Sequence, residues 1–187
     1  VSGLGETIYF NLSNLNSEKL EQKKINNNID TLLSNMNAEL IGIRDLFYDN
    51  NFLYISLQHK DKNGYTIGVY RAPINFKKLE FEKFFSTNEY WEEYNVFSGG
   101  RLEKFLDNKI LFTIGFANKH EKSQQKNSLL GKIISIDKQT RDFKLISYGH
   151  RNPQGLFYNS ELKIIMNTEH GPKGGDEVNF NFLDENR

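Results

Sequence analysis

One pattern constrains this chain more than any other, and it is written three times. One or two apolar residues lead into an Asn/Asp-rich turn, and an apolar strand follows. Residues 52–57 (FLYISL) follow Asp49-Asn50-Asn51. Residues 110–114 (ILFTI) follow Asp107-Asn108-Lys109. Residues 162–166 (LKIIM) follow Asn159-Ser160-Glu161. Asn and Asp favour turns because their side chains bond the nearby backbone. β-Branched and aromatic residues suit a pleated, half-buried surface. The copies recur on the order of every 50–60 residues, near the period of a propeller blade with its loop. Each is followed by a second strand near a glycine, at 68–74, 131–137 and 175–182. In the last of these Val178, Phe180 and Phe182 alternate with Asn179 and Asn181, the period of a strand with one apolar face. Residues 79–85 and 143–148 read as outer strands of the same units. The expectation is an all-β fold, a β-propeller of four-stranded antiparallel blades. The competing reading is a β-sandwich with coincidental self-similarity.

Two segments depart from the strand pattern. Between residues 17 and 40, Ile25, Ile29, Leu32, Leu33, Met36 and Leu40 fall at helical spacing, while Asn26-Asn27-Asn28 favours caps and turns. A helix or a long inter-strand loop is expected there. Residues 119–127 (KHEKSQQKN) are polar without periodicity and read as an exposed loop within one blade.

Bulk properties remove some function classes. The 24 basic and 24 acidic residues cancel, so there is no electrostatic footprint for nucleic acid. No apolar run reaches the length of a membrane span. With no cysteine, disulfides and thiolate chemistry are absent. The chain of 187 residues suits one domain, but it starts at Val1 with no signal peptide and stops just after a strand. We expect residues 1–187 to be a partial propeller of about three blades from a longer polypeptide.

Candidate chemistry gathers in four stretches: 98–101 (SGGR), 149–155 (GHRNPQG), 169–172 (EHGP) and 174–177 (GGDE). Loops at strand ends gather at one mouth of a propeller. Arg151 offers a planar fork of donors for carboxylates or phosphates. Asn152 and Gln154 each supply donor and acceptor. Pro153 stiffens the loop, and Gly149 and Gly155 free the backbone on either side. Such a loop suits a flat anionic ligand. The alternative is that Arg151 caps carbonyls and His150 is a satisfied core histidine. In the EHGP stretch, Gly171 and Pro172 can present adjacent carbonyls, hard ligands suited to calcium. Asp176 and Glu177 follow. A plain tight turn is the alternative.

The succession SGGRLEKFLDNKILFTIG, LLGKIISID, GHRNPQGLFY and TEHGPKGGDEVN resembles the glucose/sorbosone dehydrogenase family, over about residues 98–181. The resemblance implies a six-bladed propeller using pyrroloquinoline quinone (PQQ) and calcium. It implies that Arg151 and Asn152, with Gln154 and Arg101, contact the cofactor, and that the Gly171 and Pro172 carbonyls ligate calcium. It further implies oxidation of a sugar or other alcohol, an electron acceptor as partner, and a periplasmic or extracellular location. A histidine in the family removes the hydroxyl proton.

Here the chain departs from the pattern. Phe97 stands at the position of that histidine, preceded by Val96 instead of an acid, and Phe116 follows Ile114-Gly115 where an acid is usual. Phenylalanine is no general base. Three readings stay open: a dehydrogenase using another base, with His170 the nearest candidate by motif; a propeller that binds cofactor without catalysis; or loops kept for blade packing alone. His59 and His120 are expected to be solvated, as are Lys23-Lys24 and Lys77-Lys78. Trp91 and its aromatic and acidic neighbours could line a sugar site, but docking of that run on a blade edge is the favoured expectation.

Overall fold

The structure, a computed structural model, describes residues 3–14 and 19–183; positions 17 and 18 of the segment expected to be helix or loop lie outside them. The chain opens with β1 (Thr7–Tyr9) and β2 (Lys23–Asn27), an antiparallel pair, followed by α1 (Ile29–Asn35). A first sheet comprises β3 (Glu39–Asp49), β4 (Phe52–Asp61) and β5 (Gly64–Pro73). The short β6 (Lys78–Leu79) leaves it to pair with β2, and β7 (Glu82–Ser86) returns as its fourth strand. A second four-stranded sheet holds β8 (Gly99–Phe105), β9 (Lys109–Ile114), β10 (Lys132–Asp137) and β11 (Phe143–Tyr148), with α2 (His120–Gln124) between β9 and β10. The third has three described strands: β12 (Pro153–Asn159), β13 (Ile164–Glu169) and β14 (Glu177–Phe182). Within these three sheets every pairing is antiparallel, and the order is sequential from β3, β8 and β12 outwards. Those three first strands lie beside one another. Radial sheets around shared inner strands are the arrangement of a β-propeller.

Two of the three repeated turns are built on asparagine. Asn50 and Asn51 both take left-handed backbone angles, φ 47° and 64°, and close a two-residue hairpin between Asp49 and Phe52. At the third copy, Asn159 Oδ1 accepts from the N–H groups of Glu161 (3.0 Å) and Leu162 (2.9 Å). That turn consumes Leu162, so the strand expected from 162 begins at Ile164 instead.

Strand alternation then sorts the core. Tyr54, Ile67 and Val69 pack with Leu102, Ile110, Phe112, Ile114 and Ile134 between the first and second sheets. Phe105, Leu111, Ile133 and Ile165 form the smaller seam between the second and third. On the far side of the first sheet, Leu53, Ile55 and Leu57 of β4 meet Ile29 and Leu33 of α1 and Ile25 of β2. The 17–40 segment is thus part strand, with a helix of only 7 residues. The Asn run lies between β2 and the helix: Asn27 Oδ1 accepts from Ile29 N (3.0 Å), and Asn28 exchanges hydrogen bonds with the Phe81 backbone (2.7 and 3.0 Å).

Three further expectations need correction or refinement. The polar 119–127 loop contains the short α2. His59 is not solvated: it lies in β4 and is 4 % exposed, with burial pulling its pKa below the ordinary value. Trp91 is 2 % exposed, and its N–H and carbonyl pair with Tyr65 at 3.0 and 2.8 Å, so this run extends an edge of the first sheet. On the third sheet, Val178, Phe180 and Phe182 are exposed, while Asn179 and Asn181 turn towards Glu169 and Asn167.

Candidate functional site

The start of β8, the end of β9, the start of β12 and the end of β13 all reach one end of the sheets. There the SGGR and RNPQ stretches are sewn together. Asn152, 5 % exposed, accepts through Oδ1 from Gly99 N (3.2 Å) and Gln154 Nε2 (2.8 Å). Thr113 Oγ1, buried on β9, accepts from Gly100 N (3.1 Å) and Arg101 N (2.9 Å) and donates to the Pro153 carbonyl (3.2 Å). Arg101 donates from Nε to the Gln154 carbonyl (2.6 Å), and its Nη1 lies 3.3 Å from the Arg44 carbonyl and 3.5 Å from Asp45 Oδ1. Arg101 therefore ties together the inner strands of all three sheets. Thr113 was missed by motif reading, because a lone Thr within an apolar strand gives no signal.

His150 is buried and fully partnered, as the core-histidine alternative expected. Its Nδ1 pairs with Glu169 Oε1, and its Nε2 meets Ser147 Oγ at 2.6 Å. Glu169 in turn gathers Arg151 N on Oε2 (2.7 Å), and Asn167 Nδ2 and Asn179 Nδ2 on Oε1 (3.2 Å each). Burial alone would raise the Glu169 pKa, but the His150 hydrogen bond and charge, with backbone donors, hold it below the usual glutamate range.

Arg151 leaves this network and points outwards. Its guanidinium lies 4.4 Å from the ring centre of Phe97 and 5.6 Å from that of Phe116, and Nη1 donates to the His170 carbonyl at 2.6 Å. Among the described residues its Nε and Nη2 have no hydrogen-bond partner. Arg151 lines a cavity of about 560 Å³ with Phe116, His120, Gln124, His150 and Pro172. Among the described residues no carboxylate lines it. The volume suits a cofactor or small molecule. A larger cavity, about 710 Å³, lies at the opposite strand ends beside Leu106, Tyr158 and Leu183. None of the chemistry-bearing motifs lines it.

The EHGP stretch sits beside Arg151. The Gly171 N–H donates to Asp176 Oδ1 (2.8 Å), and the Pro172 carbonyl accepts from Gly175 N (3.1 Å), leaving a second lone pair. His170 Nδ1 lies 3.2 Å from Asp176 Oδ1, both largely exposed. Among the described residues, no three His, Asp or Glu side chains converge as metal ligands, so any calcium here would depend on carbonyl donors.

Lys132 also escaped sequence reading. Its side chain is fully buried, and its ammonium donates to three carbonyls: Lys122 (3.0 Å), Ser123 (2.8 Å) and Leu130 (2.6 Å). Burial pulls its pKa down to about 8, against the opposing charge of Glu89. It anchors α2, which walls the cavity. Lys132→Met should strip those carbonyls of donors and raise amide hydrogen exchange across residues 119–127 by roughly 10–100-fold. Unchanged exchange would remove Lys132 as the anchor.

The comparisons with known proteins follow this geometry. The chain is 30% identical over 164 residues to an uncharacterized protein of Synechocystis sp., covering 75% of the chain and 40% of that relative. It is 28% identical over 141 residues to the aldose sugar dehydrogenase YliI of Escherichia coli, covering 68% and 38%. The chain thus spans about two fifths of the length of these curated relatives. Among solved structures, the PQQ-bound aldose sugar dehydrogenase of Streptomyces coelicolor aligns with a TM-score of 0.68 at 17% identity, over 96% of this chain and 54% of that one. The soluble E. coli aldose sugar dehydrogenase, in its apo form, aligns at 0.65 and 24%, over 78% and 48%. These likenesses bear out the β-propeller fold. The family model for glucose/sorbosone dehydrogenase matches residues 13–183, nearly the whole chain, and the chain belongs to that family.

Proposed function

We propose that this chain supplies part of the cofactor face of a PQQ-dependent dehydrogenase that oxidises a sugar or other alcohol. The observation that carries this reading is Arg151: a guanidinium with two nitrogens free of partners among the described residues, facing a cavity that none of their carboxylates lines. That donor set fits a flat ligand bearing carboxylates. The Gly171 and Pro172 carbonyls fit a hard cation beside it. When bound, PQQ supplies the hydride acceptor and calcium polarises it. Asn152, Gln154 and Arg101 hold the SGGR and RNPQ backbones in register beneath the ligand. His170, paired with Asp176, is the candidate to take the hydroxyl proton, since a carboxylate can orient an imidazole. The family resemblance supports a periplasmic or extracellular location. Among the described residues no helix is long and apolar enough to cross a membrane.

One observation favours a second reading, a propeller that binds but does not catalyse. The position of the family base holds Phe97, whose ring is covered by Arg151.

Titration of the full-length protein with PQQ, with and without calcium, tests the first proposal. Calcium-dependent binding is expected, weakened roughly 10–100-fold in Arg151→Ala through loss of a charge-assisted hydrogen bond. Absence of binding would sink both cofactor readings. Binding without dye reduction by any aldose or other alcohol would leave the second.

A further inference from the structure

Two of the departures from the family pattern, Phe97 and Phe116, are 19 positions apart in sequence yet adjacent in space. Their ring centres are 5.6 Å apart. Their backbones are also fixed. Ala117 N donates to the Phe97 carbonyl (3.1 Å), and Phe116 N donates to the Arg151 carbonyl (2.9 Å). Three loops are thus pinned main chain to main chain, and their three side chains meet. Phe116 is 3 % exposed, so it forms a floor, while Phe97 is half-buried beneath the guanidinium.

We infer that Phe97 and Phe116 form one aromatic platform that fixes the Arg151 guanidinium as an anion receptor. The proposal rests on the cofactor reading above and deepens it. It assigns to the place of the missing base a positioning role toward a flat, carboxylate-bearing ligand. The physics is the attraction of a cation to the negative face of a ring, effective within about 6 Å of the centroid. Arg151 meets that condition at both rings, more closely at Phe97. Without the platform, the side chain would be tethered only through Nη1 to the His170 carbonyl. Holding it in place before the ligand arrives removes an ordering cost from binding.

A platform and a mere apolar filler predict different results. Phe97→Leu keeps an apolar side chain and removes the ring; Phe97→Tyr keeps the ring. The first readout needs no ligand. In the full-length protein with ¹⁵N-labelled arginine, the Arg151 Nε–H resonance, identified by its loss in Arg151→Lys, should be displaced by the rings. Phe97→Leu should return it towards the ordinary arginine position, and Phe97→Tyr should not. The second readout is PQQ titration with calcium. Phe97→Leu should weaken binding roughly 3- to 30-fold. In an Arg151→Ala background the same change should cost nothing more, because the coupling runs through Arg151. Should Phe97→Leu fail to fold, Phe97→Met, likewise apolar and ringless at that site, replaces it in both assays. A resonance indifferent to loss of the ring would overturn the platform, as would an equal loss of binding with and without Arg151. If the wild-type protein binds no PQQ, the resonance alone decides, and a shifted line keeps the platform while the cofactor reading falls.

Discussion

Glu169→Leu is expected to destabilise the full-length protein by about 3–5 kcal/mol, the scale of removing the carboxylate from a buried hydrogen-bond network. The substitution deletes one acceptor and strands several donors at once. His150 Nδ1, Arg151 N, Asn167 Nδ2 and Asn179 Nδ2 all converge on this carboxylate. Leucine approximates the volume but can accept nothing, and each donor left dry adds its own desolvation penalty. Urea denaturation followed by fluorescence would measure the loss. A change below about 1 kcal/mol, the scale of an ordinary surface substitution, would mean that the network is solvated and not structural. Linkage adds a pH test. The Glu169 pKa is lowered on folding from its ordinary 4.5, so the native state binds fewer protons than the unfolded state. Its contribution is therefore present above the unfolded pKa and lost as pH falls through the folded one. Acid unfolding should accordingly be less steep in Glu169→Gln than in the wild type.

Gly115→Ala should be nearly as damaging, at about 3 kcal/mol. A Cβ at Gly115 would sit 2.6 Å from the Phe97 carbonyl carbon and 2.9 Å from Gly99 N, with the Phe97 oxygen closer still. All three are backbone atoms, so no side chain can swing aside. Relief requires parting β9 from the 97–99 segment, which breaks the Ala117–Phe97 hydrogen bond. The damage should therefore reach the site: Arg151 should lose its platform along with the fold's stability. Thermal unfolding measures the first effect and the Arg151 Nε–H resonance the second. A stable variant with an unmoved resonance would show that this contact relaxes at little cost.

Comparing sequence with structure, the strands were legible because their physics is local. A period of two and Asn turns located β9, β10, β11 and β14 to within two residues, whereas β4 ends four residues later and β5 begins four residues earlier than expected. The Asn159 turn displaced one strand start by two residues, since a side chain that bonds the backbone ahead of it consumes the residues it bonds. Alternation did not say which face of β14 turns inwards. Apolar residues would be the natural choice, yet the Asn face is the one that meets Glu169 and Asn167. Those partners lie on the neighbouring strand, and no periodicity encodes them. His59 misled for a similar reason: its neighbours in sequence are polar, while its neighbours in space include Tyr70, whose ring is 6.3 Å away.

Sequence alone determined the all-β repeat, the loops with candidate chemistry, the family resemblance, and the apolar side chain at Phe97. Each depends on residue type and spacing, which the chain displays directly. Only the tertiary structure decided that Phe97 and Phe116 meet, that Arg151 lies on both, that Lys132 anchors α2, and that His150 is spent on Glu169. These are pairings between segments distant along the chain, fixed by the register of packed sheets and by backbone bonds between loops.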